Sequence, residues 1–465
     1  MIKGEEYKGK KVTIMGLGLN SGGVGTVRFF SSLGAKIIVT DMKSQEELAS
    51  SLEKLKDLKN IEYVFGQHRS EDFTNTDLVV KTPGVPWNNK YVMLAKNKNI
   101  PVEIDASLFF KFCQNPIIGI TGTKGKTTTA TLIYEILKTA GKNPLKVGIG
   151  QVSVMDKIAE IKKDSIIVFE LSSWRLSALG KFKLSPKIAV LTNIYPDHLN
   201  YYSSMESYVQ DKKYIFLNQN PNEFCVLNWD NKILNKLESD IKSQMIKFSK
   251  NKITTSKAVY IENNSIYLSD GIDEKRVIDI SDIKIKGKHN LENIMAAIGA
   301  GYAAGAGLKE IKKAIVEFRG VQHRLEFVRD FSGVRYYNDT AATTPESAIA
   351  GISSFSEPII LLAGGADKKL NMRELAETII EKVKKVIFFK GVATDKIIKA
   401  IKEKYPQKAE IEFLVVDSMK AAVNLARDIA EVGDVVLLSP GAASFGLFQN
   451  EFDRGNQFKE IVNKM

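Results

Sequence analysis

The chain has 465 residues, too many for one ordinary hydrophobic core and enough for two or three domains. Hydrophobic residues make up 44% and charged residues 26%, a globular composition, while 66 Lys and Arg against 54 Asp and Glu leave a net charge of +12. The lysines run along the whole length with no basic tract interleaved with aromatics, which argues against a dedicated nucleic-acid binder and suits an anionic substrate.

The start, Met1-Ile-Lys-Gly-Glu-Glu6, carries no apolar leader, and no run of about 18 apolar residues occurs, so a cytoplasmic protein without membrane insertion is expected. The first predicted strand, Lys11–Met15, runs into Gly16-Leu17-Gly18-Leu-Asn20-Ser21-Gly22, then a helix through Phe30 and a second strand, Lys36–Thr40, ending at Asp41. This is close to a nucleotide-binding βαβ unit, with an acidic residue where a ribose hydroxyl would sit. The third glycine position falls on Ser21 or Gly22 depending on register, so a Rossmann-like domain with or without a dinucleotide fits equally. A further strand, Leu78–Lys81, leads into Thr82-Pro-Gly84, a turn able to complete the same site. A domain boundary is expected near residue 103, after Asn97-Lys-Asn-Ile-Pro101.

The second segment, 104–320, opens on the chain's most informative stretch, where the buried strand Pro116–Ile120 enters Thr121-Gly122-Thr123-Lys124-Gly125-Lys126-Thr127 and then a helix from Thr128 to Leu137. Backbone amides between Gly122 and Gly125 can wrap an anion, Lys126 can reach terminal phosphates, and the Thr127 hydroxyl can ligate Mg2+ at the helix N-terminus. ATP is therefore the expected nucleotide. Cys113 and Cys225, the only two cysteines, lie far apart without a CxxC pattern and read as small core residues. Glu170 ends the apolar run Ser165–Phe169, where a second metal ligand belongs, and Asp197-His198 follow the strand Lys187–Leu191 in a tight turn that suits ligands. Asn290 and Asn293 share one helix face, able to offer amides to an adenine ring or merely to cap the helix. Gly299–Gly307 reads as close helix packing.

The third segment, 321–465, carries predicted strands Val334–Asn338, Ile359–Ala363, Lys385–Phe389 and Val435–Ser439, each ending in polar or glycine residues. Their carboxyl edge should hold a ligand. Arg324 can pair with phosphate or with a surface carboxylate, and the loop Asn338–Pro345 packs hydroxyls and a carboxylate together. The whole reads as α/β: a Rossmann-like N-terminal domain (1–103), a central P-loop-type ATPase domain with a mostly parallel sheet (104–320), and a C-terminal Rossmann-like α/β domain (321–465).

Taken in order, these motifs resemble the Mur ligase family over nearly the whole chain. The matching stretches are Gly16-Leu-Gly18, Thr82-Pro-Gly84, Thr121–Thr127, Glu170-Leu-Ser-Ser173, Asp197-His198, Gly287-x-His-Asn290, His323-Arg324, Asn338-Asp339, Leu438–Ser444 and Arg454–Phe458. The likeness is strongest to the members that add glutamate to UDP-N-acetylmuramoyl-L-alanine, with D-glutamate the usual amino acid. The resemblance implies that Leu17, Asn20, Asp41 and Thr82 hold the UDP group. It implies that Gly122, Thr123, Lys124, Gly125, Lys126, Thr127, Thr128, Asn290, Asn293, Arg324 and Asp339 hold ATP, with Thr127, Glu170, His198 and Lys212 around Mg2+, two ions in number. Lys212 matches a family lysine that is carbamylated, which turns a cation into an acidic ligand. Lys126, His198 and Lys212 are the implied catalytic residues, and Thr343, Lys368 and Ser444 the amino-acid contacts. No obligatory protein partner is inferred. The implied reaction is amide formation through an acyl phosphate.

Departures bear on the amino acid. The family's usual Asn-Asp-Ser-Lys-Ala-Thr reads Asn338-Asp-Thr-Ala341-Ala-Thr343, so a lysine that normally meets glutamate is an alanine; an aromatic contact position reads Glu451, and a Gly-Asn-Ile-Gly reads Gly150-Gln151-Val-Ser153. L-glutamate or another amino acid stays open as the substrate. So do a folylpolyglutamate-type ligase, which would lack the N-terminal Rossmann-like unit, a dehydrogenase fused to an ATPase, and a noncatalytic nucleotide-binding protein.

Overall fold

The computed structural model describes residues 5–19, 21–150, 152–197, 201–254, 256–285, 287–368, 370–405 and 413–465. Two compact units emerge: Met1–Ile280 with Glu292–Ile315, and Ser281–Leu291 with Val316–Met465.

The first unit is built on two sheets. One has strands β1 (Lys11–Met15), β2 (Lys36–Asp41), β3 (Ile61–Phe65), β4 (Leu78–Lys81) and β5 (Val102–Glu103) in the order β3-β2-β1-β4-β5, all parallel. The order reverses beside β1, which opens a crevice at the carboxyl ends of β1 and β4. The other sheet comprises β6 (Ile117–Thr121), β7 (Asn143–Val147), β8 (Ser165–Glu170), β9 (Ile188–Leu191), β10 (Phe224–Asn228), β11 (Gln244–Ser249), β12 (Ala258–Glu262), β13 (Ser265–Ser269) and β14 (Glu274–Asp279). Its order is β14-β13-β12-β11-β10-β9-β6-β8-β7, with only the β12-β13 and β13-β14 pairs antiparallel.

Strands covered on both faces read as unbroken apolar runs. β6 and β9 are buried at every residue. Close packing also explains the small residues of the helix Lys288–Ala303. A β-carbon on Gly301 would lie 2.8 Å from the Ile136 side chain, and one on Gly299 would lie 3.0 Å from Val226. Both cysteines are buried and form no disulfide, as small core residues.

The second unit carries β15 (Glu326–Phe331), β16 (Val334–Asn338), β17 (Ile359–Gly364), β18 (Val383–Phe389), β19 (Leu414–Val416) and β20 (Val435–Leu438). The order is β15-β16-β20-β17-β18-β19, parallel except for the β15-β16 hairpin. Two buried layers, one containing Leu361, Phe388 and Leu437 and the other Leu362, Phe389 and Leu438, cover its faces. Among the described residues no helix is long and apolar enough to cross a membrane.

Candidate functional site

At the carboxyl ends of β1, β2 and β4 the glycine loop, Asp41 and Thr82 converge. Gly16 has φ +96°, and a β-carbon there would lie 2.9 Å from the Thr82 side chain, so the two loops touch. The buried Asp41 carboxylate accepts the Leu17 amide at 2.9 Å and the Gly18 amide at 3.0 Å through one oxygen, and the Lys43 amide at 3.0 Å through the other. Its first duty is thus to shape the loop that Leu17 occupies. Asn20 lies outside the described residues.

The phosphate-type loop follows β6. Gly125, at φ +84°, caps the helix Lys126–Thr139 in a left-handed conformation that turns the preceding amides inward. Residues after β9 hold the loop from below. Thr192 Oγ1 donates to the Lys124 carbonyl at 2.6 Å, and the Asn193 amide both accepts from the Lys124 N–H at 2.8 Å and donates to its carbonyl at 3.2 Å. Lys126 Nζ bends back onto the carbonyls of Gly122 and Thr123 at 2.9 and 3.0 Å, over the centre of the cradle. Thr127 Oγ1 donates to Glu170 Oε2 at 2.8 Å, which brings together the two hard oxygens that the sequence offered as candidate metal ligands. Thr128 continues the helix, half-buried. Asn293 Oδ1 accepts from Thr129 at 3.4 Å and stands 2.1 Å from where a Gly125 β-carbon would be. Asn290 is buried one turn earlier on that helix.

Lys212, on the helix Met205–Lys213, is buried, with Nζ 3.4 Å from Thr121 Oγ1 and 4.8 Å from the centre of the Tyr208 ring. Burial drives its ammonium well below the ordinary lysine range, the Lys126 charge pushes the same way, and Asp197 and Asp211 oppose them. A neutral amine is the form that attacks CO2. A cavity of about 40 Å³ joins Gly122, Thr123, Lys126, Trp174, Tyr208 and Lys212. Tyr208 Oη lies 3.1 Å from Thr123 Oγ1. Among the described residues no three His, Cys, Asp or Glu side chains cluster as a metal site, and His198 lies outside those residues.

In the second unit the loops after β16, β17 and β20 meet. Asp339 is buried, accepting the Leu325 amide at 3.1 Å and the Ser439 hydroxyl at 2.8 Å. Burial pushes its carboxyl up to about 7, against those hydrogen bonds and the Arg324 charge. Arg324 is exposed between His323 and Leu325, both at positive φ (67° and 44°). Lys368 Nζ donates to Thr343 Oγ1 at 2.9 Å. Ser444 is buried next to Ala443, which bridges to Ala366. The buried Arg454 guanidinium donates to Thr340 Oγ1 (2.9 Å) and to the carbonyls of Thr340 (3.0 Å) and Ala442 (3.3 Å), tying together the loops that carry Thr343 and Ser444. Burial brings it down to about 10, against the opposing charge of Glu451.

Sequence reasoning passed over Thr192, Asn193, Trp174, Tyr208 and the fastening role of Arg454. Asn193 carried a signal, a polar residue directly after an apolar strand; Trp174 and Tyr208 carried none, because aromatics at helical spacing read as core.

Comparison with known proteins places these features in one family. Residues 10–103 match the Mur ligase MurD-like N-terminal domain, residues 120–301 the Mur ligase middle domain, and residues 323–441 the Mur ligase glutamate ligase domain. The UDP-N-acetylmuramoylalanine--D-glutamate ligase of Roseiflexus sp. (strain RS-1) is 39% identical, covering 98% of this chain and 99% of the relative. The protein of the same name from Clostridioides difficile (strain 630) is also 39% identical, covering 99% of this chain and 100% of its own. The fold is similar to the UDP-N-acetylmuramate-alanine ligase MurC from Thermotoga maritima (TM-score 0.56, 20% identity, 98% and 99% coverage). It is also similar to the MurF ligase from Thermotoga maritima in complex with ADP (TM-score 0.54, 18% identity, 100% and 97% coverage). The chain belongs to the Mur ligase family.

Proposed function

We propose that this chain is an ATP-dependent ligase that joins the carboxylate of UDP-N-acetylmuramoyl-L-alanine to the amine of D-glutamate in the cytoplasm, a step of peptidoglycan precursor synthesis. End-to-end similarity to enzymes of that name carries the reading, and the phosphate cradle around Lys126 supports it.

In this reading segment 1–103 holds UDP through Leu17, Asn20, Asp41 and Thr82, segment 104–320 holds ATP, and segment 321–465 brings the amino acid. Lys126 and the amides of Gly122–Thr128 neutralise the ATP phosphates, and Arg324 adds a second cation. Asn290, Asn293 and Asp339 hold the nucleoside. The hard oxygens of Thr127 and Glu170 fit Mg2+, with His198 and a carbamate on Lys212 as the remaining ligands. Bound there, Mg2+ would screen the phosphate charges as a Lewis acid. The substrate carboxylate attacks the γ-phosphorus and ADP leaves; the amine then attacks the acyl phosphate carbonyl, and phosphate departs from the tetrahedral intermediate. A base takes the proton that the amine loses as the bond forms. Lys368, Thr343 and Ser444 receive the glutamate carboxylates, Lys368 supplying a cation where Ala341 supplies none.

The test is mass spectrometry of the UDP-linked product after incubation with ATP, Mg2+ and both substrates. A mass gain of one glutamyl residue with one ADP per product supports the proposal; unchanged UDP-substrate contradicts it.

A further inference from the structure

The turn Thr82-Pro-Gly84 continues into a segment that reaches the helix Ser173–Lys181 of the same unit. Thr82 is fixed at its start, its amide donating to the Met15 carbonyl at 2.9 Å. Buried Lys81 donates to the Val85 carbonyl at 2.8 Å, and Lys96 donates to the Trp87 carbonyl at 3.2 Å. The Nζ atoms of Lys81, Lys96 and Lys181 stand 4.2, 5.0 and 4.9 Å from the centre of the Trp87 ring, so three lysine side chains pack against the indole.

The indole N–H then donates to Ser177 Oγ at 3.0 Å, on the helix Ser173–Lys181. The Ser177 hydroxyl has its own hydrogen on the Trp174 carbonyl at 2.7 Å, so its lone pair is left to face Trp87. Trp174 lines the cavity of Lys126 and Lys212. A continuous run of contacts therefore leads from the loop of Thr82 through Trp87 and Ser177 to Trp174 in the wall of the cavity.

We infer that Trp87 is a positioning residue that makes the Thr82 loop and the Trp174 wall one mechanical body, so that binding of the UDP-substrate and of ATP strengthen each other. This rests on the proposed function. If the Thr82 loop shifts when the UDP group seats, the shift reaches Trp174 through a fixed hydrogen bond, and reciprocity requires that ATP tighten the UDP-substrate by the same factor.

The experiment measures the dissociation constant of UDP-N-acetylmuramoyl-L-alanine with and without a saturating nonhydrolysable ATP analogue and Mg2+, for the full chain and for Trp87→Phe, Ser177→Ala and the double variant. Wild type should bind at least about fivefold tighter with the analogue present. Each single variant should keep the affinities for each ligand alone within about twofold while the coupling falls to below about twofold, and the double variant should lose no more than either single one. Ser177→Ala, which removes only an oxygen, decides the matter if Trp87→Phe folds poorly. Coupling that persists in the variants, or is absent from wild type, overturns the inference alone. Wild type that binds no UDP-substrate overturns the functional reading and this inference together.

Discussion

Gly125→Ala separates two costs that the cradle imposes on its sequence. The residue sits at φ +84°, where an L side chain costs about 1–2 kcal/mol. Its added β-carbon would also lie 2.1 Å from Asn293 Oδ1, a buried side chain that must move, at a further cost of about 1–3 kcal/mol. Gly141, at φ +69° just past the same helix, has nothing within 4 Å of its would-be β-carbon and pays the backbone cost alone. Urea unfolding should therefore show Gly141→Ala losing about 1–2 kcal/mol and Gly125→Ala about 2–5 kcal/mol. Phosphate-release kinetics add a second readout: Gly125→Ala should raise the KM for ATP about tenfold or more, because both the cradle amides and Asn293 shift, while Gly141→Ala leaves it unchanged. Equal losses of stability and an unaltered KM in both variants would refute the argument that Gly125 is required by the packing of Asn293.

Lys212→Ala should lose at least about a hundredfold in kcat, and added short carboxylates should restore part of it by replacing the carbamate; an unimpaired variant would remove Lys212 from the site. Because the folded chain keeps the Asp339 carboxyl protonated up to about 7 against an ordinary 3.8, it holds an extra proton between those values. Stability should then fall as pH rises through that window, by at most about 4 kcal/mol, and level off above it. Asp339→Asn should flatten that fall in thermal unfolding scans at pH 4 to 8, and an identical profile would show that Asp339 is not the titrating group. Lys368→Ala should raise the KM for glutamate about ten- to a hundredfold, the loss of one charge-assisted hydrogen bond, with the KM for ATP little changed; equal increases for both substrates would argue against a local contact.

The fold was legible at several parallel strands buried on both faces, although Phe224–Asn228, equally buried between parallel neighbours, was not read. Ile117–Thr121, Ser165–Glu170, Ile188–Leu191 and Val435–Leu438 are near-continuous apolar runs, and each was read from sequence within a residue or two. Glu274–Asp279 and Glu326–Phe331 were not, because they are edge strands whose exposed charged residues break the apolar pattern. Among the candidate residues, the glycines, Lys126, Thr127 and Glu170 could be picked out from sequence because a phosphate cradle uses fixed residue types at fixed spacing. The grip of Asn193 on the Lys124 peptide and the meeting of Thr343 with Lys368 join distant parts of the chain through sheet order, which local patterns do not carry. Asp41 is instructive in another way: its place at a strand end was evident, yet the sequence held no sign that Leu17 and Gly18 of its own loop would take one of its oxygens.

The most direct test of the account is phosphate release from ATP and Mg2+ with UDP-N-acetylmuramoyl-L-alanine across a panel of amino acids that includes both glutamate enantiomers. Release should depend on D-glutamate, with Lys368 sufficing as the cation where Ala341 stands. Release that depends on L-glutamate or another amino acid would contradict the substrate assignment, and no release with any of them would contradict the ligase reading itself.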